Sequence, residues 1–292
     1  MSAPRKQNLD KTERPHPLGP FLQPARRFIH RTLDRLPGPL AEFILFGLKM
    51  AWSCLFGAAM LALLILTHLF WPDTAPLLRY DFLFVAAVIL QILMLVLRLE
   101  SFEEARVIFL YHVVGTVMEI FKTHMGSWAY PDDALIRIGG VPLFTGFMYA
   151  CVGSFIARAG RVMDLRYTHY PPLWATFVLA ALIYLNFFTH HYIWDFRYLL
   201  FAAIGLLWWR SWIVFRVDRK DRRMPFILAN VLTAFFLWVA ENIGTATRTW
   251  VYPDQDVWRM VSLHKMGAWA LLLVLSFVMV SLVIPPRAPQ KS

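Results

Sequence analysis

Apolar runs long enough to cross the roughly 30 Å hydrocarbon core of a bilayer as helix lie at residues 43–70, 82–99, 105–123, 141–158, 173–192, 196–217, 225–247 and 260–284. Arg197 and Arg210 fall within the sixth run. No stretch alternates apolar and polar positions over ten residues, so a membrane barrel is disfavoured. The pattern predicts an all-α fold, a polytopic membrane helix bundle of about eight transmembrane helices.

A polar phrase is written into this pattern twice. EIFKTHMGSWAYPD runs from Glu119 to Asp132, and ENIGTATRTWVYPD runs from Glu241 to Asp254, 122 residues later. Both read ExxxTxxxxWxYPD. The same offset relates Thr67-His68 to Thr189-His190, Ala58-Ala59 to Ala180-Ala181, and Ser154-Phe155 to Ser276-Phe277. Asp81-Phe82 and Asp195-Phe196 match at an offset of 114, and the basic loop VDRKDRRMP of the second half recovers the difference. The chain is therefore expected to contain two parallel four-helix repeats, residues 43–160 and 161–284, related by a pseudo-twofold axis along the membrane normal. Residues 1–42 form a basic arm before them, and residues 285–292 a short tail after them.

Composition agrees with the membrane assignment. The chain is 58% apolar and 16% charged, whereas soluble domains sit near ~50% apolar. Mean hydropathy is positive. The charge that remains is distributed unevenly: 21 Lys and Arg lie in the arm, the tail and the loops after runs two, four and six, against seven in the other loops. The positive-inside rule then places both termini in the cytoplasm of a cell with this protein in its inner membrane. The net charge of +10 reports topology and points to no nucleic-acid partner. The first 20 residues are polar and proline-containing, and no cleavable signal sequence is legible in them. From Arg26 to Leu36, Arg27, Arg31 and Arg35 share one face, the pattern of a basic helix lying on the membrane surface. Cys54 and Cys151 both fall inside apolar runs, so neither a disulfide nor a cysteine metal site is indicated.

The phrases LRYDF (78–82), RLES (98–101), GSWAYP (126–131), GVPLFTGFMYA (140–150), IYLNFFTHHYIWDFR (183–197) and AENIGT (240–245) together resemble a bacterial integral-membrane family, domain of unknown function 817, with YoaT-like members. The resemblance covers roughly residues 43–283 and implies a polytopic inner-membrane protein without assigned catalytic residues. In its paired helix-end carboxylates followed by an aromatic turn, the chain is also distantly similar to membrane carotenoid cyclases and hydratases.

With both termini inside, the duplicated polar residues converge on the outer face. Glu119 and Glu241 are the candidate acid–base residues, because a carboxylate within a membrane helix faces the bundle interior and is a functional candidate by default. His112, Thr116, Glu119 and Thr123 form one helical stripe. Trp128, Tyr130, Trp250 and Tyr252 are candidates either for binding or for anchoring helix ends at the headgroup level. His68, Asp81, Asn186, His190, His191, Asp195 and Thr245 complete the expected outer cup. His68, His190 and His191 are the candidate ligands should a metal bind, although no HExxH or di-iron motif is present, and no cofactor is indicated. Gly146, Ala150, Gly153 and Ala157, spaced 4, 3 and 4, are expected to let helices pack closely. Mid-membrane polar residues are few, Gln91, His112 and Asn230 among them. A one-sided cup favours a membrane enzyme or binding protein for a lipid- or isoprenoid-like molecule. The alternatives are a transporter of a small solute or proton, and a structural membrane protein whose duplicated motifs are helix caps.

Overall fold

In the computed structural model, residues 19–72, 74–218, 220–253 and 260–289 are described. They form ten helices and five short strands in the order α1 (Gly19–Leu33), α2 (Gly38–Ser53), α3 (Leu55–Phe70), α4 (Arg79–Val96), α5 (Phe102–His124), β1 (Arg137–Ile138), β2 (Val141–Pro142), α6 (Phe144–Val162), β3 (Arg166–Thr168), α7 (Leu173–Thr189), α8 (Arg197–Trp208), β4 (Trp212–Arg216), β5 (Asp221–Pro225), α9 (Phe226–Ala246) and α10 (Leu263–Val283). Helices α4, α9 and α10 are each long and apolar enough to cross a membrane, and α2 with α3 qualifies as a bent pair. The chain is a multi-pass helical membrane protein.

Three expectations are revised. The first apolar run is one stretch of sequence but two helices, bent by 67° at Cys54. Ser53 donates its hydroxyl back to the Lys49 carbonyl, 2.8 Å away, which bends helices. The amide of Cys54 bonds both Met50 and Ala51 carbonyls. Arg158, reaching from α6, meets the Trp52 carbonyl at 3.5 Å. The sixth run is helical only to Trp208. Beyond it, the β-branched and aromatic segment WIVFR becomes β4, which pairs antiparallel with both β3 and β5. The basic loops thus carry a three-stranded sheet, and a second hairpin, β1–β2, precedes α6, so a mostly helical fold carries two small sheets. The fifth run ends its helix at Thr189, with His190 as the capping residue. Residues 1–18 and Asp254 lie outside the described residues.

The packing of α5 against α6 positions the site. At the N-terminus of α5, Ser101 and Glu104 form a reciprocal capping box. Along its length, a Cβ at Gly115, Gly146 or Gly153 would come within 2.8, 2.4 and 2.8 Å of Tyr149, His112 and Tyr111 respectively. These glycines therefore set the close approach of the two helices, as the small-residue spacing predicts for α6. The Tyr111 hydroxyl, also on this seam, donates to the Ser276 carbonyl of α10.

Candidate functional site

The WxYPD segment after α5 and the segment 250–253 after α9 meet over the C-terminal ends of those helices. Ala129 and Val251 form an antiparallel bridge, each amide donating to the other's carbonyl at 2.9 Å. Each segment then folds back onto the glutamate of its own helix. Trp128 donates its indole N–H to Glu119 Oε2 at 2.8 Å, and the Tyr130 hydroxyl donates to the same oxygen. Trp250 and Tyr252 do the same to Glu241 Oε1. Burial, and then the adjacent Glu119 charge, pushes the Tyr130 phenol well above its usual range. Burial followed by Glu241 acts alike on Tyr252. Both phenols therefore remain protonated donors.

The two carboxylates differ in their second oxygen. Glu119 Oε1 accepts from the Tyr149 hydroxyl of α6 at 2.6 Å, so both of its oxygens are engaged. Among the described residues no donor reaches Glu241 Oε2 at hydrogen-bond distance. Position 271, which the 122-residue offset pairs with Tyr149, is a leucine. Glu119 and Glu241 are 3% and 6% exposed, and both border a cavity of about 580 Å³.

That cavity lies among α3, α5, α6, α9 and α10. The end beside the C-termini of α5 and α9 carries Glu119, Lys122, Glu241 and Lys265, with Asn186, His190, Arg197 and His264 beside them. Below this polar end the wall is apolar, with Met148, Val152, Phe155, Leu237, Trp269 and Leu272, and it reaches Met50, Cys54 and Cys151 near the α2–α3 bend. The volume falls within the range of small-molecule sites, roughly 300–1,000 Å³, and such sites are mostly apolar with a few placed polar groups.

Most of the predicted site residues gather at this polar end, but not all line the cavity. Trp128, Tyr130, Trp250, Tyr252, Asn186 and His190 do. His68 is exposed and stands apart, because the buried residue of its pair is Thr67, which accepts from Arg79. Asp81 is buried but anchors a loop, accepting from the amides of Leu135 and Ile136. His112 packs on Phe147, Thr245 bonds back to its own helix, and the Thr123 hydroxyl is buried with no hydrogen-bond partner among the described residues. Asp195 accepts from Asn186 and pairs with Arg197. His190 and His191 both turn Nε2 toward Lys122, at 3.3 and 3.0 Å. Among the described residues no three His, Cys, Asp or Glu side chains converge as metal ligands would.

Several residues of the site are not singled out by the sequence. Lys122 occupies a position where the second motif has Gly244, so the duplication conceals it. Lys265 is a lone cation in a long apolar run, a signal the default rule for intramembrane charges would have raised. Tyr149 has no duplicate. Arg79 ties the two motifs together from below, donating to Thr67, Asp132, the Thr247 carbonyl and Thr249. A second polar cluster lies beyond the deep end of the cavity, where fully buried Arg158 pairs with Glu100 at 2.9 Å. Ser154 and Gln91 donate to the same carboxylate. The polar groups of the bundle are thus not confined to the end that carries the two glutamates.

Comparison with known proteins adds the family. Residues 42–277 match the family model described as "Protein of unknown function (DUF817)". A curated relative, "Uncharacterized protein YoaT" of Bacillus subtilis (strain 168), is 40% identical over 256 residues, covering 87% of this chain and 96% of the relative. Among solved structures, the mycobacterial Insig homolog MvINS from Mycobacterium vanbaalenii is similar at 15% identity with a TM-score of 0.47, covering 66% of this chain and 98% of that one. A cross-linked trimer of the same protein gives the same values.

Proposed function

The chain belongs to the DUF817 family, and on that premise we propose that it is an inner-membrane binding protein for a lipid- or isoprenoid-like amphiphile. The ligand lies in the cavity with its tail toward Cys54 and its polar end at the outer carboxylates. Glu241, with Oε2 unengaged by the described residues, exchanges a proton with it, while Glu119 is held by its three donors as a fixed acceptor. The observation that carries this reading is the polarity of a single cavity: one end bears two buried carboxylates and two lysines, and the rest is apolar.

The same proposal takes the bundle as two four-helix halves of eight spans, with both termini cytoplasmic. Support comes from the reciprocal Ala129–Val251 bridge, whose partners are 122 residues apart, and from the Glu–Trp–Tyr arrangement repeated at the same offset. The cavity is then the seam between the halves.

The test is to purify the protein in mild detergent and identify retained lipids by native mass spectrometry, in wild type and in Ala58→Trp, which fills the cavity wall. Wild type is expected to carry a defined amphiphile that the variant loses while its melting temperature stays near that of wild type. Identical bulk-lipid profiles would defeat the proposal. A second reading, transport of the same molecule between leaflets, is favoured by the Glu100–Arg158 cluster beyond the deep end. It predicts flux in reconstituted vesicles that Glu100→Gln abolishes.

A further inference from the structure

We propose that the polar end of the bound molecule is an anion, a phosphate or carboxylate on a long apolar chain, and that Lys122 is its principal contact. This rests on the amphiphile-binding reading above and specifies its ligand.

Lys122 is 5% exposed, and its ammonium group is held by the Nε2 atoms of His190 and His191. His190 Nδ1 lies 2.9 Å from the Asn186 carbonyl. A carbonyl only accepts, so Nδ1 carries the proton and Nε2 presents its lone pair to the lysine. The imidazole that meets the ammonium is therefore neutral. It satisfies a hydrogen bond and leaves the positive charge uncancelled, a costly arrangement for a buried ion. Among the described residues no carboxylate lies within 4 Å of Lys122.

The neighbouring cations are better compensated, Lys265 by the Glu241 charge and Arg197 by its ion pair. Lys265 Nζ sits 3.9 Å from the centre of the Tyr252 ring and 5.9 Å from that of Trp128, so aromatic faces hold it. Arg197 pairs with Asp195 and turns a second nitrogen to the His264 ring. Lys122, Lys265, Arg197 and His264 all border the cavity. The two glutamates there are already engaged by phenol and indole donors, Glu119 through both oxygens and Glu241 through one. Two of the three ammonium hydrogens of Lys122 serve the histidines, and the third is available to a ligand. An alcohol or an uncharged headgroup would leave the Lys122 ammonium without a direct ion pair, whereas an anion supplies the charge-assisted bond it lacks.

The experiment measures binding of hexadecyl phosphate, palmitate and hexadecanol to the full-length protein in nanodiscs of phosphatidylcholine, followed by tryptophan fluorescence. Wild type is expected to bind at least one of the two anions about tenfold or more tighter than the alcohol. The preferred anion separates a phosphate from a carboxylate source. Lys122→Gln should lose most of that preference, and Lys122→Arg should retain it. If Lys122→Gln does not fold, Lys265→Gln is expected to weaken the preference in the same direction. Equal affinities for all three probes in wild type would overturn the anionic head and leave the cavity reading standing. No saturable binding of any probe would overturn the cavity reading, and this inference with it.

Discussion

Glu119 and Glu241 share a motif but not a hydrogen-bonding state, and the difference is measurable. Replacing Glu119 with alanine leaves two phenols and an indole without their acceptor, at about 1–3 kcal/mol for each donor stranded in the interior. Replacing Glu241 strands one phenol and one indole. The melting temperature in detergent should therefore fall further for Glu119→Ala than for Glu241→Ala; the reverse order would contradict the three-donor clamp. At Gly244, an added Cβ would stand 2.0 Å from the Trp250 ring, so Gly244→Ala must push the indole off Glu241. The expected loss is about 1–3 kcal/mol, accompanied by a shifted tryptophan emission. The glutamates and their Trp and Tyr partners were legible because the sequence repeats them. Tyr149 and Lys122 were hidden for the converse reason: their offset positions hold Leu271 and Gly244, and nothing in the local sequence says that α6 will bring a phenol to α5.

At the scale of the elements, the sequence marked where apolar runs lie better than where helices bend or stop. The α2–α3 bend was illegible because no proline or glycine stands at Cys54. It arises from a serine bonding its own helix and from an arginine contributed by α6. Likewise β4 is apolar enough to read as membrane helix, and only its pairing with the basic strand β5 shows otherwise. The turn after α4 and the C-terminal half of α6 are joined by the Glu100–Arg158 pair, whose side chains are 0% exposed. Glu100→Gln would leave Arg158 buried without its counter-charge, at a cost of about 3–5 kcal/mol. The apolar double replacement Glu100→Leu with Arg158→Met should recover much of that loss. Thermal melting of the three proteins checks this, and a double mutant no more stable than the single one would show that the pair is needed for more than charge balance.

For the whole molecule, the proposed pair of halves meeting across a polar-ended cavity would account for both the duplication and its exceptions. The repeated residues build the symmetric roof of paired WxYPD segments. The unrepeated ones differ: Tyr149 occupies the second oxygen of Glu119 alone, and Lys122 and Lys265 give the mouth its cations. The topology predicts that a single cysteine at Asp133 is labelled by an impermeant maleimide on intact cells, and one at Lys220 only after permeabilisation. The opposite pattern would invert the bundle. The most direct measurement of the central claim is a cryo-electron microscopy map of the protein in native-lipid nanodiscs. It should contain one continuous elongated density in the cavity, its rounded end within hydrogen-bond reach of Lys122 and its thin end toward Cys54. A cavity holding only separate water-sized peaks, or closed by its own side chains, would contradict the account.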